Sequence, residues 1–228
     1  MKFVTLGPTG TCHENAMKAY LKYHDIEDAE IILIDDFLAG LEMVHNGEAD
    51  YLMQNSAHLK VHEVTEKYYR EIFVADTFMY RTREIVILED VRVKEPQTVG
   101  LVSATEGYLH GIGVHYPVKI YESSKPVVGA RFLEGAYDAA ITYLEYHLNN
   151  PGRFRLRKYV GFVPTAWLVY GRKTVFTGEL MGIAPKGFYT HGTGVSDWPR
   201  NGESYRSPVP EMAGSESDVE HADSEAGQ

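Results

Sequence analysis

The chain has 228 residues, 44% hydrophobic and 24% charged, with 32 acidic against 22 basic side chains and a formal net charge of -10. This is enough chain for one large domain or two lobes of ordinary globular composition. The acidity argues against a nucleic-acid partner, which needs a basic footprint. No apolar run approaches a membrane span or a signal peptide, and the single cysteine, Cys12, cannot form an internal disulfide, so a cytoplasmic protein is predicted.

Phe3-Val4-Thr5-Leu6 reads as a strand, and Ala16, Ala19, Tyr20 and Tyr23 give the helical period after it. Between them Gly7, Pro8 and Gly10 make a tight turn. Thr11 is the natural N-cap, with Glu14 three residues on completing a capping box. A strand, a glycine turn and a helix N-terminus together favour an anion. The turn is not a nucleotide loop: no Lys-Ser/Thr follows the glycines, and there is no G-x-G-x-x-G.

Glu30 to Ile34 reads as a β-branched strand, Asp35 and Asp36 as caps of a helix through Phe37, Leu38, Leu41 and Val44, and Gly47 as its end. Asp50 to Met53 is the next strand and runs into Gln54-Asn55-Ser56. This β-α-β-α-β order implies a parallel sheet with crossover helices. Val61 to Tyr69 reads as helix and Met79 to Leu88 as one long alternating strand. A second run follows: a strand at Thr98 to Val102, a short helix from Ser103 through Tyr108, and a strand at Val118 to Tyr121. Ser123 and Ser124 then cap a helix to Leu133, Gly135 ends it, and strands follow at Tyr137 to Ile141, Phe154 to Tyr159 and Trp167 to Tyr170.

The two runs repeat one pattern. A capping pair leads through a helix to Gly47 and Asp50 in the first, and to Gly135 and Asp138 in the second. Two lobes of like build are predicted, with a ligand beyond the strand C-termini. That places Thr11, Asn55 and Ser56 from one lobe opposite Ser103, Ser123 and Ser124 from the other. Such a cleft, rich in hydroxyls and helix N-termini, suits a small carboxylated ligand.

Over residues 2 to 173 the order of elements and the motifs resemble the catalytic domain of the prephenate dehydratase family. The family's G-P-x-G-T stands as Gly7 to Thr11, its E-N-S as Gln54-Asn55-Ser56, its Ser-His-Pro as Ser103-Ala104-Thr105, its Ser-Thr pair as Ser123-Ser124, and its T-R-F as Thr165-Ala166-Trp167. The resemblance implies an α/β, two-lobed type II periplasmic-binding-protein-like fold with prephenate in the cleft and no cofactor. Nothing after Lys173 reads as the family's regulatory ACT domain.

The departures point to one branch. Ala166 replaces the motif arginine, Gln54 the glutamate, and His13 stands where a small hydroxyl residue is usual. Asp76 to Tyr80 and Pro164 to Gly171 look more like the ACT-less bacilysin-type prephenate decarboxylases, which serve specialised-metabolite pathways. The missing arginine implies weaker support for a departing hydroxide and hence decarboxylation without aromatisation. Thr165, the family's dehydratase acid, is retained and supports dehydration to phenylpyruvate as the alternative. A non-catalytic binder of an aromatic-pathway acid is a further alternative.

Thr165 and His13 are thus the catalytic candidates; Thr11, Cys12, Asn55, Ser56, Ser103, Ser123, Ser124 and Lys125 are the substrate-binding ones. Lys125 is the candidate cation for a dianionic substrate. His58 and His62 could share a helix face but have no evident third ligand, so no metal is predicted. The partners expected are a small molecule, no nucleic acid and no membrane; a homodimer is compatible. The organisation reads as lobe 1 at 2–78, lobe 2 at 79–160, a return strand and extension at 161–189, and a tail at 190–228. From His191 onward eight acids and two bases carry -6 of the -10 charge among Gly, Ser and Pro, a composition that predicts disorder.

Overall fold

In the computed structural model, residues 1–182 are described, so the predicted acidic tail lies outside the described residues. The first run forms β1 (Lys2–Leu6), α1 (Cys12–Tyr23), β2 (Glu30–Ile34), α2 (Phe37–Asn46), β3 (Tyr51–Asn55), α3 (Val61–Lys67) and β4 (Phe73–Arg81). The second forms β5 (Ile85–Asp90), β6 (Thr98–Leu101), a 3-10 turn (Ser103–Leu109), β7 (Val118–Tyr121), α4 (Lys125–Leu133), β8 (Ala139–Tyr143), α5 (Leu144–Leu148) and β9 (Phe154–Gly161). β10 (Pro164–Gly171) follows.

Ten strands make two five-stranded sheets, ordered β2-β1-β3-β10-β4 and β7-β6-β8-β5-β9. In the first, β1 is parallel to β2 and β3, and β10 is antiparallel to β3 and β4. In the second, β6 is parallel to β7 and β8, and β5 is antiparallel to β8 and β9. The two sheets share one plan, and the first receives its fourth strand, β10, from beyond the second run.

The buried strands read as continuous apolar runs because both sheet faces are covered. In lobe 1, Phe3, Met53, Trp167 and Val169 pack with Ala16 and Met17 of α1, while Val4, Leu52 and Tyr170 pack with Phe37, Leu41 and Val44 of α2. In lobe 2, Val86, Leu88 and Ala140 pack with Val128 and Phe132 of α4, and Ile85, Ile87, Ile141 and Tyr143 fill the other face.

The repeated Gly-x-x-Asp has a physical reason. Gly47 and Gly135 leave their helices at φ of +80° and +82°, a conformation that favours glycine. The Asp Oδ2 then accepts N–H bonds at the start of its lobe's first parallel strand. Asp50 takes Lys2 at 2.8 Å; Asp138 takes Gln97 and Thr98 at 2.9 and 3.0 Å.

The single strand predicted over Met79 to Leu88 is two strands in different sheets. β4 ends at Arg81, three residues past the expected lobe border, and the crossover is Thr82-Arg83-Glu84. The polar groups there bond elsewhere than to a ladder. Thr82 N–H donates to Val163 O and Thr82 Oγ1 accepts Val163 N–H, both at 2.9 Å, so the outgoing and returning crossovers are tied together.

Candidate functional site

A cavity of about 240 Å³ lies between the lobes, at the C-terminal ends of their parallel strands. From lobe 1 it is lined by Thr11, Cys12, His13, Asn55 and Thr165; from lobe 2 by Ser103, Ser123, Ser124 and Lys125. Nine of the ten predicted residues are therefore brought together. Ser56 is the exception: it is exposed, and its N–H continues the sheet by bonding Ala166 O at 3.0 Å.

On the lobe 1 side, Glu14 N–H donates to Thr11 Oγ1 at 3.2 Å, and the Glu14 carboxylate accepts Gly10 N–H at 2.6 Å. The capping box therefore closes one residue earlier than the sequence suggests. Thr11 Oγ1 also donates to Leu6 O at 3.0 Å. Its hydroxyl is spent on the turn, so it shapes the helix end rather than presenting a proton to a ligand.

His13, in the first turn of α1, has a buried Nε2 with no partner. Its ring stands edge-on to Trp167 at 5.2 Å, with Phe37 at 5.3 Å and His58 at 6.3 Å. Burial, then the nearby His58 and Lys125 charges, lower its pKa to about 3. It is neutral at physiological pH and offers no acidic proton.

Asn55 ends β3. Its Oδ1 accepts Ala57 N–H at 2.8 Å and Thr165 Oγ1–H at 3.2 Å. The threonine's proton is thereby engaged while its lone pairs remain for a donor. Thr165 and Trp167 share one face of β10 and both line the cavity. Ala166, between them, faces the other way and does not line it. This corrects the reading of its missing arginine as a group beside the departing hydroxide. Gln54 lies on that opposite face with Leu168, its register partner, so Gln54 and Ala166 are diagonal cross-strand neighbours. A glutamate at position 54 and an arginine at position 166 would therefore start from adjacent places behind the cavity. Gln54 is fully buried, and both of its amide atoms lack a partner.

On the lobe 2 side, Ser124 caps α4 by accepting Val127 N–H at 3.4 Å. Lys125 is its first residue, held by Thr142 Oγ1 donating to Lys125 O at 2.9 Å. Lys125 lines the cavity, and no carboxylate pairs with it among the described residues. Burial lowers its pKa.

Sequence reading missed Tyr143, Tyr108 and Arg83. Tyr143 Oη and Cys12 Sγ lie 3.1 Å apart, one from each lobe. Arg83 donates to Gly10 O at 2.6 Å, pairs with Glu145 and lies 4.5 Å over the Tyr143 ring, bridging the lobes from the crossover. The repeat held a signal for Tyr143: it stands five residues after Asp138, as Asn55 stands five after Asp50.

No carboxylate lines the cavity, and Lys125 is its one lysine or arginine among the described residues. The arrangement can hold a compact anion, orient a hydroxyl group and exclude much of the solvent. Its size is just under the roughly 300–1,000 Å³ of drug-sized sites, which suits a one-ring acid.

No protein-family model matches the chain, and no curated protein does. Among solved structures, the prephenate dehydratase of Arthrobacter aurescens in complex with L-Phe is similar at 17% identity and a TM-score of 0.54, over 79% of this chain and 63% of that one. The chain thus spans less than two thirds of that enzyme. The prephenate dehydratase of Staphylococcus aureus aligns at 16% identity and a TM-score of 0.45, over 77% of this chain and 69% of that one. The periplasmic VFT2 domain of Bordetella pertussis BvgS aligns at 18% and 0.47, over 75% and 80%. The chain has the two-lobed, periplasmic-binding-protein-like α/β fold. No helix among the described residues is long and apolar enough to cross a membrane.

Proposed function

We propose that the chain is a prephenate lyase that releases the ring carboxylate as CO₂ and keeps the ring hydroxyl, giving dihydro-4-hydroxyphenylpyruvate in a specialised-metabolite pathway. The observation that carries the choice is the cavity's charge pattern: one buried lysine, no carboxylate and a neutral histidine. The lysine and the N-terminal ends of α1 and α4 suit a dianion. The likeness of fold to a prephenate dehydratase supports the substrate class.

Dehydration and decarboxylation differ in the fate of one hydroxyl. When CO₂ leaves, its bonding pair enters the ring diene. If the hydroxyl is protonated, water departs and the ring aromatises. If a ring carbon takes the proton, the hydroxyl stays. Expelling hydroxide needs an acid of suitable pKa at the oxygen. His13 holds no such proton, and the proton of Thr165 is engaged by Asn55. In this reading Thr165 accepts a hydrogen bond from the ring hydroxyl, which orients that group without expelling it.

Incubating the protein with prephenate and identifying the products by mass spectrometry and ultraviolet absorbance tests this. A non-aromatic dihydro product is expected. Phenylpyruvate as the main enzymatic product would replace the reading by dehydration through Thr165. Prephenate that binds unchanged would replace it by a binding protein.

A further inference from the structure

Lys125 differs from the lysines around it. Lys18, Lys60, Lys67 and Lys119 each sit against a carboxylate at 2.5 to 2.7 Å on the protein surface. Lys125 has no such partner among the described residues, lines the cavity and is fixed at the first position of a capped helix. An ammonium in such surroundings is costly, which brings the neutral, nucleophilic form within easier reach.

We propose that Lys125 is a covalent anchor for 2-oxo acids, its Nζ condensing with the ketone of the bound acid to form a Schiff base. This rests on the prephenate reading only for the ring that the side chain carries; the electrophile is the 2-oxo acid unit itself. The lowered pKa of Lys125 supports the same direction. The Cys12–Tyr143 pair, 3.1 Å apart, lines the same cavity and carries exchangeable protons.

The Nζ lone pair adds to the ketone carbon, the C=O π electrons move to oxygen, and one of the nitrogen's protons passes to that oxygen, giving the carbinolamine. The carbinolamine takes up one further proton and loses its oxygen as water as the C=N bond forms. An amine, a ketone and one proton thus give an iminium ion and one water, with no change of oxidation state. The iminium keeps the single positive charge beside the acid's own carboxylate, so covalent attachment preserves the ion pairing that a bound anion needs.

Borohydride trapping tests this without turnover. The full chain is incubated with pyruvate or phenylpyruvate, occupancy is followed by tryptophan fluorescence (Trp167 lines the cavity), and borohydride is added before peptide mapping. The expected result is one reduced adduct per chain on the Lys125 peptide, suppressed by excess prephenate. It falls to background in Lys125→Arg, which keeps the charge, and in Lys125→Met. Saturation of fluorescence with no adduct, an adduct confined to other lysines, or failure of both acids to bind would each overturn the proposal. Trapping of oxo acids with prephenate left intact would retain the anchor and reject the lyase reading. Decarboxylation of prephenate with no trapping of saturating oxo acid would do the reverse.

Discussion

The two lobes share one sheet plan and differ in what they bring to the cleft. After its first parallel strand, lobe 1 turns through Gly7 to Gly10 into a twelve-residue helix, whereas lobe 2 turns into the 3-10 segment Ser103–Leu109. Gly107, Gly111 and Gly113 explain the shorter element, each costing about 1 kcal/mol against alanine in a helix. After its second parallel strand, lobe 1 caps a helix with Asp36 and lobe 2 with Ser124 followed by Lys125. Lobe 1 thus presents a neutral surface of histidine, amide and hydroxyl, and lobe 2 presents the cation and two tyrosines. A duplicated frame has been given opposite halves of one recognition task.

The largest effect should come from the neutral half. The His13 pKa of about 3 lies below its unfolded value of 6.5. Between the two, the unfolded chain binds a proton that the folded chain refuses. Stability should therefore fall as pH drops from about 6.5 to about 3, by about 4–5 kcal/mol in total. Denaturant unfolding across that range should show a steep acid limb that flattens in His13→Asn; equal slopes would mean His13 is free to charge in the fold.

Next comes the position where the lobes diverge behind the cleft. Gln54 corresponds to Thr142 in the repeat, yet the Thr142 hydroxyl is bonded to Lys125 O and the Gln54 side-chain amide has no partner among the described residues. Gln54→Glu should destabilise by about 3 kcal/mol, as an uncompensated buried charge does. Adding Ala166→Arg should recover most of that. Thermal unfolding of both singles and the double decides it, and additive losses would separate the two positions.

On the charged side, Lys125→Met should weaken binding of a dicarboxylic ring acid by about 2–3 kcal/mol, the worth of a hydrogen bond to a charged group. Titration calorimetry reads it directly, and unchanged affinity would leave lobe 2 without its cation. The smallest effect is at the other helix end. Thr11→Val should cost about 1 kcal/mol of stability through the lost cap while leaving affinity nearly intact, because its hydroxyl is bonded within the turn.

Much of this frame was legible in the chain itself. Strand and helix order, the caps at Thr11, Asp36 and Ser124, and the glycine ends at Gly47 and Gly135 are local chemistry, and local chemistry is written residue by residue. The strand break at Thr82 was not, because Met79 to Leu88 alternates without interruption; only the returning Val163 shows that the pattern serves two sheets. The facing of Ala166 was likewise hidden, since its side depends on where β10 enters beside β3. Tyr143 and Arg83 act through partners 131 and 73 residues away, and such contacts leave no mark in a linear pattern.

The late arrival of β10 also sets an order of assembly. All five strands of the second sheet lie between Ile85 and Gly161, so a chain emerging from the ribosome can complete that lobe first. The first sheet has to wait. β4 pairs only with β10, and β10 pairs only with β3 and β4, so the N-terminal lobe holds an unfilled place in its sheet until Pro164 to Gly171 has been made. The half synthesised first is the half finished last, and any chain cut between the lobes leaves β4 without its neighbour.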